Sequence, residues 1–160
     1  GKSLGKKSKS KDVFHVVWRV PFTKGTLKAV SYKNGKEVLT KEIKTAGKPA
    51  TIKLTADRNR IKANGKDLSF VTIEVVDENG IPVPTADNLM DFSVSGDGFI
   101  TGTDNGDPTD SVSLKKPQRK LFNGKAVVII QSGKKPGKIT LTVKTEKLKS
   151  ATLDISTFRD

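Results

Sequence analysis

Short runs of alternating apolar and polar residues, separated by turn signals about every ten residues, constrain the fold of this chain most strongly. Ala50–Asp57 alternates cleanly, and Leu68–Asp77 is the strongest strand pattern in the sequence. The dipeptide Asn34-Gly35 predicts a type I′ hairpin turn, because both central residues of that turn need positive φ. No stretch has the 3.6-residue apolar period of an amphipathic helix. The sequence therefore predicts an all-β protein.

The strand patterns divide unevenly along the chain. In residues 47–160 the main predicted strands are Ala50–Asp57, Leu68–Asp77, Met90–Ser95, Phe99–Thr103, Ala126–Ser132, Gly137–Thr145 and Ser150–Phe158. Their number and spacing predict one complete immunoglobulin-like β-sandwich. Residues 1–46 offer only Val13–Val20, Gly25–Tyr32 and Lys36–Thr45, a meander too small to close a sandwich. We therefore predict two domains: a partial small β-sandwich module at 1–46 and an immunoglobulin-like sandwich at 47–160.

Composition narrows the function classes. The chain has no Cys, which excludes a disulfide framework, a thiol nucleophile and a thiolate metal site. The net charge is +13, and residues 1–47 hold 12 Lys and Arg against 3 acidic residues. A basic arm can bind nucleic acid. However, the lysines are dispersed with few aromatic residues between them, which favours solvated charge at strand edges over nucleic-acid binding.

The sequence also bears on targeting. No stretch approaches the length of a membrane span. No signal-peptide pattern is visible at Gly1, because no apolar segment follows the basic residues, and the chain lacks an initiator Met. We therefore expect the chain to begin after processing or inside a longer protein.

A long polar loop in the second half of the chain holds the sole carboxylate cluster. Its residues are Asp104, Asn105, Gly106 and Asp107, with Asp97 and Asp110 nearby. Such oxygens can bind Ca²⁺, but Lys115 stands where an EF-hand counted from Asp104 needs Glu. Asp and Asn at these positions also form ordinary turns. The sequence favours turn chemistry and keeps a metal site at Asp104, Asn105 and Asp107 as the weaker interpretation.

Three aromatic residues in the first module are candidates for sugar stacking. Trp18, Phe22 and Tyr32 could form a platform of the kind that carbohydrate-binding modules build from exposed rings. Trp18 alternates with Val16 and Val20, however, and this periodicity favours a place in a packed core.

Catalytic residues are not evident. Glycoside hydrolysis needs a pair of carboxyl groups. The five Glu residues are Glu37, Glu42, Glu74, Glu78 and Glu146, and each is interpreted as surface charge. His15 is the single histidine, and no Ser has the context of an activated nucleophile. The sequence predicts no catalytic residue and no cofactor in this chain.

Several stretches together resemble the C-terminal modules of bacterial glycoside hydrolase family 2. GKSLGKK and VVWRVPFTKGTLKAVSYKNGKEV resemble a small β-module that follows the catalytic barrel in that family. The matching residues are Trp18, Pro21, Phe22, Gly25, Leu27, Lys28, Ala29 and Gly35. KTAGKPATIKLTADRNRIKANGKDLSFVTIEVVDENGIPVP resembles the start of the family's C-terminal immunoglobulin-like domain, and TDNGDPT and RKLFNGKAVVIIQS resemble its later half.

The resemblance implies a role in a larger enzyme. In that family the commonest activity is hydrolysis of β-galactosides, and the catalytic glutamates lie in an upstream (β/α)₈ barrel that nothing here matches. The resemblance therefore implies a non-catalytic accessory region, with a truncated first module, of a β-galactosidase-like enzyme. Such a region would support the barrel of the same polypeptide, its active-site rim or oligomer contacts.

The same resemblance gives the polar loop a third interpretation, in which Asp104, Asn105, Gly106 and Asp107 reach the active-site rim or an interface. Carbohydrate contact and homo-oligomer formation stay open. Family analogy favours the periplasm or the cell surface. The alternative functions are an independent carbohydrate-binding module and an immunoglobulin-like repeat of a bacterial surface adhesin.

Overall fold

The structure is a computed structural model that describes residues 1–159. It divides into two units, one formed by Gly1–Thr45 and one that begins at Ala46. The described residues contain strands, turns and irregular segments but no helix. In particular, the described part of the chain has no helix of the length and apolar character needed to cross a membrane. The prediction of an all-β fold is confirmed.

The first unit is built on one antiparallel hairpin. Its strands are β1 (Thr26–Lys33) and β2 (Lys36–Lys44). The turn between them has φ of 51° at Asn34 and 75° at Gly35, which confirms the predicted pair of positive-φ residues. None of the residues 1–45 is buried. A two-stranded hairpin has no second layer, so this unit has no core of its own.

The predicted strand Val13–Val20 is wrong, because the segment has no strand pairing in the structure. The sheet formed by β1 and β2 has only these two strands, and nothing in the described unit extends it. The expected core position of Trp18 is also wrong, since this side chain is 39% exposed. Apolar alternation alone does not form a strand: Val13–Val20 pairs with neither edge of the β1–β2 hairpin, and the first unit has no second layer on which its apolar residues could pack.

The second unit is a sandwich of nine strands. They are β3 (Thr51–Ala56), β4 (Arg60–Lys62), β5 (Leu68–Val76), β6 (Leu89–Ser95), β7 (Gly98–Asp104), β8 (Gln118–Lys120), β9 (Lys125–Ser132), β10 (Gly137–Thr145) and β11 (Leu148–Phe158). One sheet has four strands in the order β3-β5-β9-β7, and the other has five in the order β4-β11-β10-β6-β8. All pairs are antiparallel except β4 with β11. The predicted immunoglobulin-like sandwich is confirmed.

Strict alternation places the core between the two sheets. On β5 the side chains of Val71, Ile73 and Val75 are fully buried, while the residues between them face outward. From the other sheet, Leu141 and Val143 of β10 face the same core. Each buried aliphatic side chain contributes about 1.5–3 kcal/mol relative to exposure. This core explains why the second unit can close as a sandwich while the first cannot.

Asp77 fixes the turn that follows β5. Its carboxylate accepts hydrogen bonds from the backbone N–H groups of Gly47 at 2.7 Å, Asn79 at 2.9 Å and Ile81 at 2.8 Å. These donors, with that of Gly47 the strongest, lower the pKa of Asp77 below its ordinary value because they stabilise the ionised form. The side chain is buried and links the start of the second unit to the Asn79-Gly80 turn.

Candidate functional site

The most elaborate polar structure in the second unit is the loop of residues 105–117, which joins β7 to β8. It leaves β7 just after a register shift between Ile100 and Gly102, where the strand is bulged. It returns along the same strand, because the backbone N–H of Thr103 donates to the carbonyl of Leu114 at 2.8 Å. Loops of this length are usually functional or held by specific packing.

The loop is held in place by the guanidinium of Arg119, which is 2% exposed although it carries a full charge. Nη1 donates to the carboxylate of Asp110 at 2.8 Å and to the carbonyl of Val112 at 3.1 Å. Nη2 donates to the carbonyls of Ser113 at 2.8 Å and Thr103 at 3.1 Å. A planar fork of five N–H donors suits this set of acceptors, and Lys could not reproduce it.

The same network acts on the carboxyl groups of the loop. The pKa of Asp110 lies below its ordinary value, chiefly because Arg119 donates a hydrogen bond to it and also because the N–H of Val112 does so. The hydroxyl of Thr103 accepts from Arg119 and donates to the carbonyl of Lys116 at 2.9 Å. Both ends of the loop are therefore tied to one buried cation.

The predicted cluster at the start of the loop forms turns. Asp104 accepts from the N–H groups of Asn105 at 2.6 Å and Gly106 at 2.9 Å. Asn105 accepts from the N–H of Asp107 at 2.9 Å, and Asp107 accepts from the hydroxyl of Thr109 at 2.7 Å. This is the turn chemistry that the sequence favours. Within residues 1–159, no group of three or more His, Cys, Asp or Glu side chains is arranged to hold a metal ion.

A cavity of about 290 Å³ lies beside this loop. Its wall includes Asn105, Asp107 and Asp110 together with Arg119 and Leu121. The amide of Asn105 spans part of it, donating to Asp110 at 3.0 Å and to the carbonyl of Lys120 at 3.0 Å. The polar groups in this wall already bond to one another, so the cavity is a depression under a rigid loop rather than a ready catalytic cleft.

The candidate sugar-stacking residues all lie in the first unit and are exposed there. The ammonium of Lys7 lies 5.4 Å from the ring centroid of Trp18, and that of Lys6 lies 6.0 Å from the ring of Tyr32. Phe22 is also exposed. The structure therefore presents all three rings at the surface of the first unit, and a sugar-stacking role for them stays a prediction.

The remaining candidate for chemistry, Glu74, is an ion-paired residue of the four-stranded sheet. Its carboxylate lies 2.9 Å from the Lys125 ammonium and 3.8 Å from that of Lys53. The side chain points to the outside of the sandwich, as expected, but the two lysines cover most of it. Glu37 and Glu42 lie exposed on the hairpin of the first unit.

Sequence reasoning missed Arg119 and Thr103, the residues that organise the loop. A weak signal was present, because Arg119 is one of few arginines in a chain whose basic residues are mostly lysine. Arg is the residue that buried multidentate ion pairs require. The three-residue strand that carries it is too short to show a period.

The second unit is thus an immunoglobulin-like sandwich whose long polar loop is fixed by a buried arginine. The family described as glycoside hydrolase family 2 C-terminal domain 5 matches residues 52–154, and a domain of unknown function (DUF4982) matches residues 1–39. The chain therefore belongs to glycoside hydrolase family 2, as a C-terminal part of its proteins. The resemblance drawn from the sequence is confirmed.

Relatives of known name agree with this assignment. The chain is 53% identical over 156 residues to the β-galactosidase BoGH2A of Bacteroides ovatus, covering 98% of this chain and 18% of that protein. Among solved structures it is similar to a glycosyl hydrolase family 2 member from Bacteroides cellulosilyticus, with 41% identity, a TM-score of 0.87, and 90% of this chain and 19% of that chain covered. It is also similar to a β-glycosidase from Bacteroides vulgatus, with 37% identity, a TM-score of 0.87, and 96% and 20% covered.

The coverage has a consequence for function. The chain spans only 18–20% of the length of these relatives, so most of each relative lies outside the matched region. What those whole proteins catalyse is a property of the longer polypeptides.

Proposed function

We propose that this chain is the non-catalytic C-terminal accessory region of a β-galactosidase-like glycoside hydrolase. Its role would be to support the catalytic barrel, the active-site rim or the oligomer contacts of the parent enzyme. The observation that carries the proposal is the 53% identity to 18% of a β-galactosidase, with 98% of this chain aligned.

The electrostatics of the carboxyl groups supports a non-catalytic role. A glycosidase needs one carboxyl group with a raised pKa to protonate the leaving group. Hydrogen bonds from backbone N–H groups, hydroxyl groups and cationic side chains lower the pKa values of five carboxyl groups, those of Asp67, Asp77, Asp87, Asp110 and Asp154. These groups are held in the ionised form, which suits structure rather than acid catalysis.

The rigid 105–117 loop supports a role at the active-site rim. A loop tied down by Arg119 and Asp110 can present the turn at Asp104–Asp107 without losing much conformational entropy on contact. An accessory loop of this kind contributes to substrate affinity by position, with no chemistry of its own.

The proposal is tested by removing the sandwich from the full-length gene product. Deletion of residues 46–160 should lower the melting temperature of the enzyme and reduce kcat/KM for a nitrophenyl β-galactoside. The Lys120→Met enzyme serves as the matched control, because it keeps the whole chain and removes only a surface ion pair with Asp87. Unchanged stability and unchanged kinetics after deletion would contradict the proposed supporting role.

Carbohydrate binding is a second candidate, favoured by the exposure of Trp18, Phe22 and Tyr32. Calorimetric titration of the chain with galactan oligosaccharides tests it. Heat of binding that disappears in the Trp18→Ala and Tyr32→Ala variants would support an independent binding module. The absence of binding in the unsubstituted chain would rule out this candidate.

A further inference from the structure

The two outer faces of the sandwich differ sharply in chemistry. On the five-stranded sheet, the outward residues around the middle of β10 are Thr140 and Thr142, with Ser93, Thr152 and Asp154 as cross-strand neighbours. All are polar, and the Thr140 hydroxyl bonds to Asp154 at 2.7 Å. This is the composition of a sheet face that water covers.

The four-stranded sheet carries an apolar outer face, defined by Leu68, Phe70, Phe99, Val127 and Ile129. Phe70 lies directly opposite Ile129, and Leu68 and Phe99 flank Gln131 from either side. Phe70 is 42% exposed and Phe99 is 50% exposed. Leu68, Val127 and Ile129 are partly buried beside them. Contiguous apolar residues that reach the surface mark an interaction surface, whereas single exposed ones do not.

Charged residues of both signs border the apolar outer face. Lys53 and Lys125 stand at one end on either side of Glu74, with which both form ion pairs. Asp104 lies opposite Val127, and Asp57 accepts a hydrogen bond from the backbone N–H of Phe70. An apolar centre with such a rim is complementary to a protein surface whose apolar patch is bordered by charges of both signs.

We propose that the apolar outer face of the four-stranded sheet is the surface by which this sandwich docks onto another domain of the same polypeptide. The inference rests on the proposed function, because it requires a longer parent enzyme. The matched relatives are about five times longer than this chain, so they hold ample protein to cover such a face. The partner surface should be apolar at its centre and carry charges of both signs at its edge.

A sugar fits this face less well than a protein does. A sugar stacks on flat aromatic rings that also offer hydrogen bonds nearby. Here the two Phe rings stand beside the partly buried Leu68, Val127 and Ile129, and branched aliphatic side chains are suited to packing against protein.

A pair of matched cysteine variants tests the docking surface in the full-length protein. Thr72→Cys lies on the apolar outer face, beside Val127, and Thr142→Cys lies at the equivalent central place on the polar face. Maleimide labelling of each site is followed by mass spectrometry of the peptide that contains it, in the 160-residue chain and in the full-length protein. Labelling at position 72 should be roughly ten-fold or more slower in the full-length protein, because burial blocks the thiol, whereas position 142 should be unaffected.

Phe99→Ser provides a second readout that does not depend on labelling. It should lower the melting temperature of the full-length protein and leave that of the 160-residue chain unchanged, because Phe99 is half exposed in the chain alone. Equal labelling of position 72 in both proteins would overturn the inference. So would protection that rises with concentration of the 160-residue chain, which indicates a dimer, or protection given only by added oligosaccharide.

The supporting role and the docking face can be contradicted independently of each other. If deletion of residues 46–160 destabilises the enzyme but position 72 labels freely, the supporting role stands and the docking face is wrong. If the gene encodes no further domain, both are wrong.

Discussion

Replacing Arg119 with Met tests whether one buried cation holds the 105–117 loop. Met keeps most of the side-chain length and volume but removes every donor. The carbonyl and hydroxyl oxygens of Thr103 are buried and lose Arg119 as a donor, while the carbonyls of Val112 and Ser113 lie at exposed residues that water can reach. A buried acceptor left without a partner costs about 1–3 kcal/mol.

The free energy of unfolding should therefore fall by about 3 kcal/mol. Removing one partner of a buried ion pair costs about 3–5 kcal/mol, so the two estimates agree at their common value. For a sandwich of this size this loss corresponds to a fall of roughly 10 °C in Tm. Urea unfolding of the 160-residue chain, followed by far-UV circular dichroism, measures the loss. The slope of the transition should not change, because the surface exposed on unfolding is nearly the same.

Lys120→Met is the matched control for this measurement. Lys120 neighbours Arg119 on β8, but its ion pair with Asp87 lies at the surface, with both side chains more than half exposed. Such pairs contribute about 0–1 kcal/mol, so the control should unfold close to the unsubstituted chain. The reasoning is refuted if Arg119→Met loses no more than Lys120→Met.

Three further results are expected. The pKa of Asp77 is lowered below 3.8 by N–H donors, so its stabilising contribution is complete above that pH and is lost as the pH falls through the lower pKa of the folded state. The free energy of unfolding should therefore fall less steeply with decreasing pH in Asp77→Asn than in the unsubstituted chain. Urea unfolding should show a loss of about 3 kcal/mol for Gly124→Ala and about 1 kcal/mol for Gly80→Ala. Both residues have φ near +75°, but only the methyl group added at position 124 would collide with the Val83 carbonyl. Equal losses in the two variants would contradict the predicted collision. In the full-length enzyme, Asp107→Ala should raise KM with little change in Tm if the loop reaches the active-site rim, whereas Glu146→Ala, in the β10–β11 turn, should change neither.

The alternating strands could be predicted from sequence because their two faces meet different environments. Leu68–Asp77 shows this directly, since its inward residues Val71, Ile73 and Val75 are fully buried, whereas Phe70 on the outward side is 42% exposed. The short strands Arg60–Lys62 and Gln118–Lys120 were missed, because three residues cannot display a period and their pairing is set by neighbouring strands.

The turns at the start of the polar loop could be predicted from sequence, whereas the buried network that holds the loop could not. The sequence identified the turn at Asp104–Asp107 from residue types with strong local preferences. The roles of Thr103 and Arg119 depend on contacts across sixteen residues, which no local pattern encodes. The error at Val13–Val20 has a related cause, because a strand needs a partner edge as well as suitable residues.

The central claim, that this chain assists a glycoside hydrolase without carrying its chemistry, is tested most directly by one comparison. Hydrolysis of a nitrophenyl β-galactoside is measured with the purified 160-residue chain, with the full-length gene product and with buffer. We expect the full-length protein to hydrolyse the substrate and the 160-residue chain to match buffer. Hydrolysis by the 160-residue chain well above buffer, or none by the full-length protein, would contradict the claim.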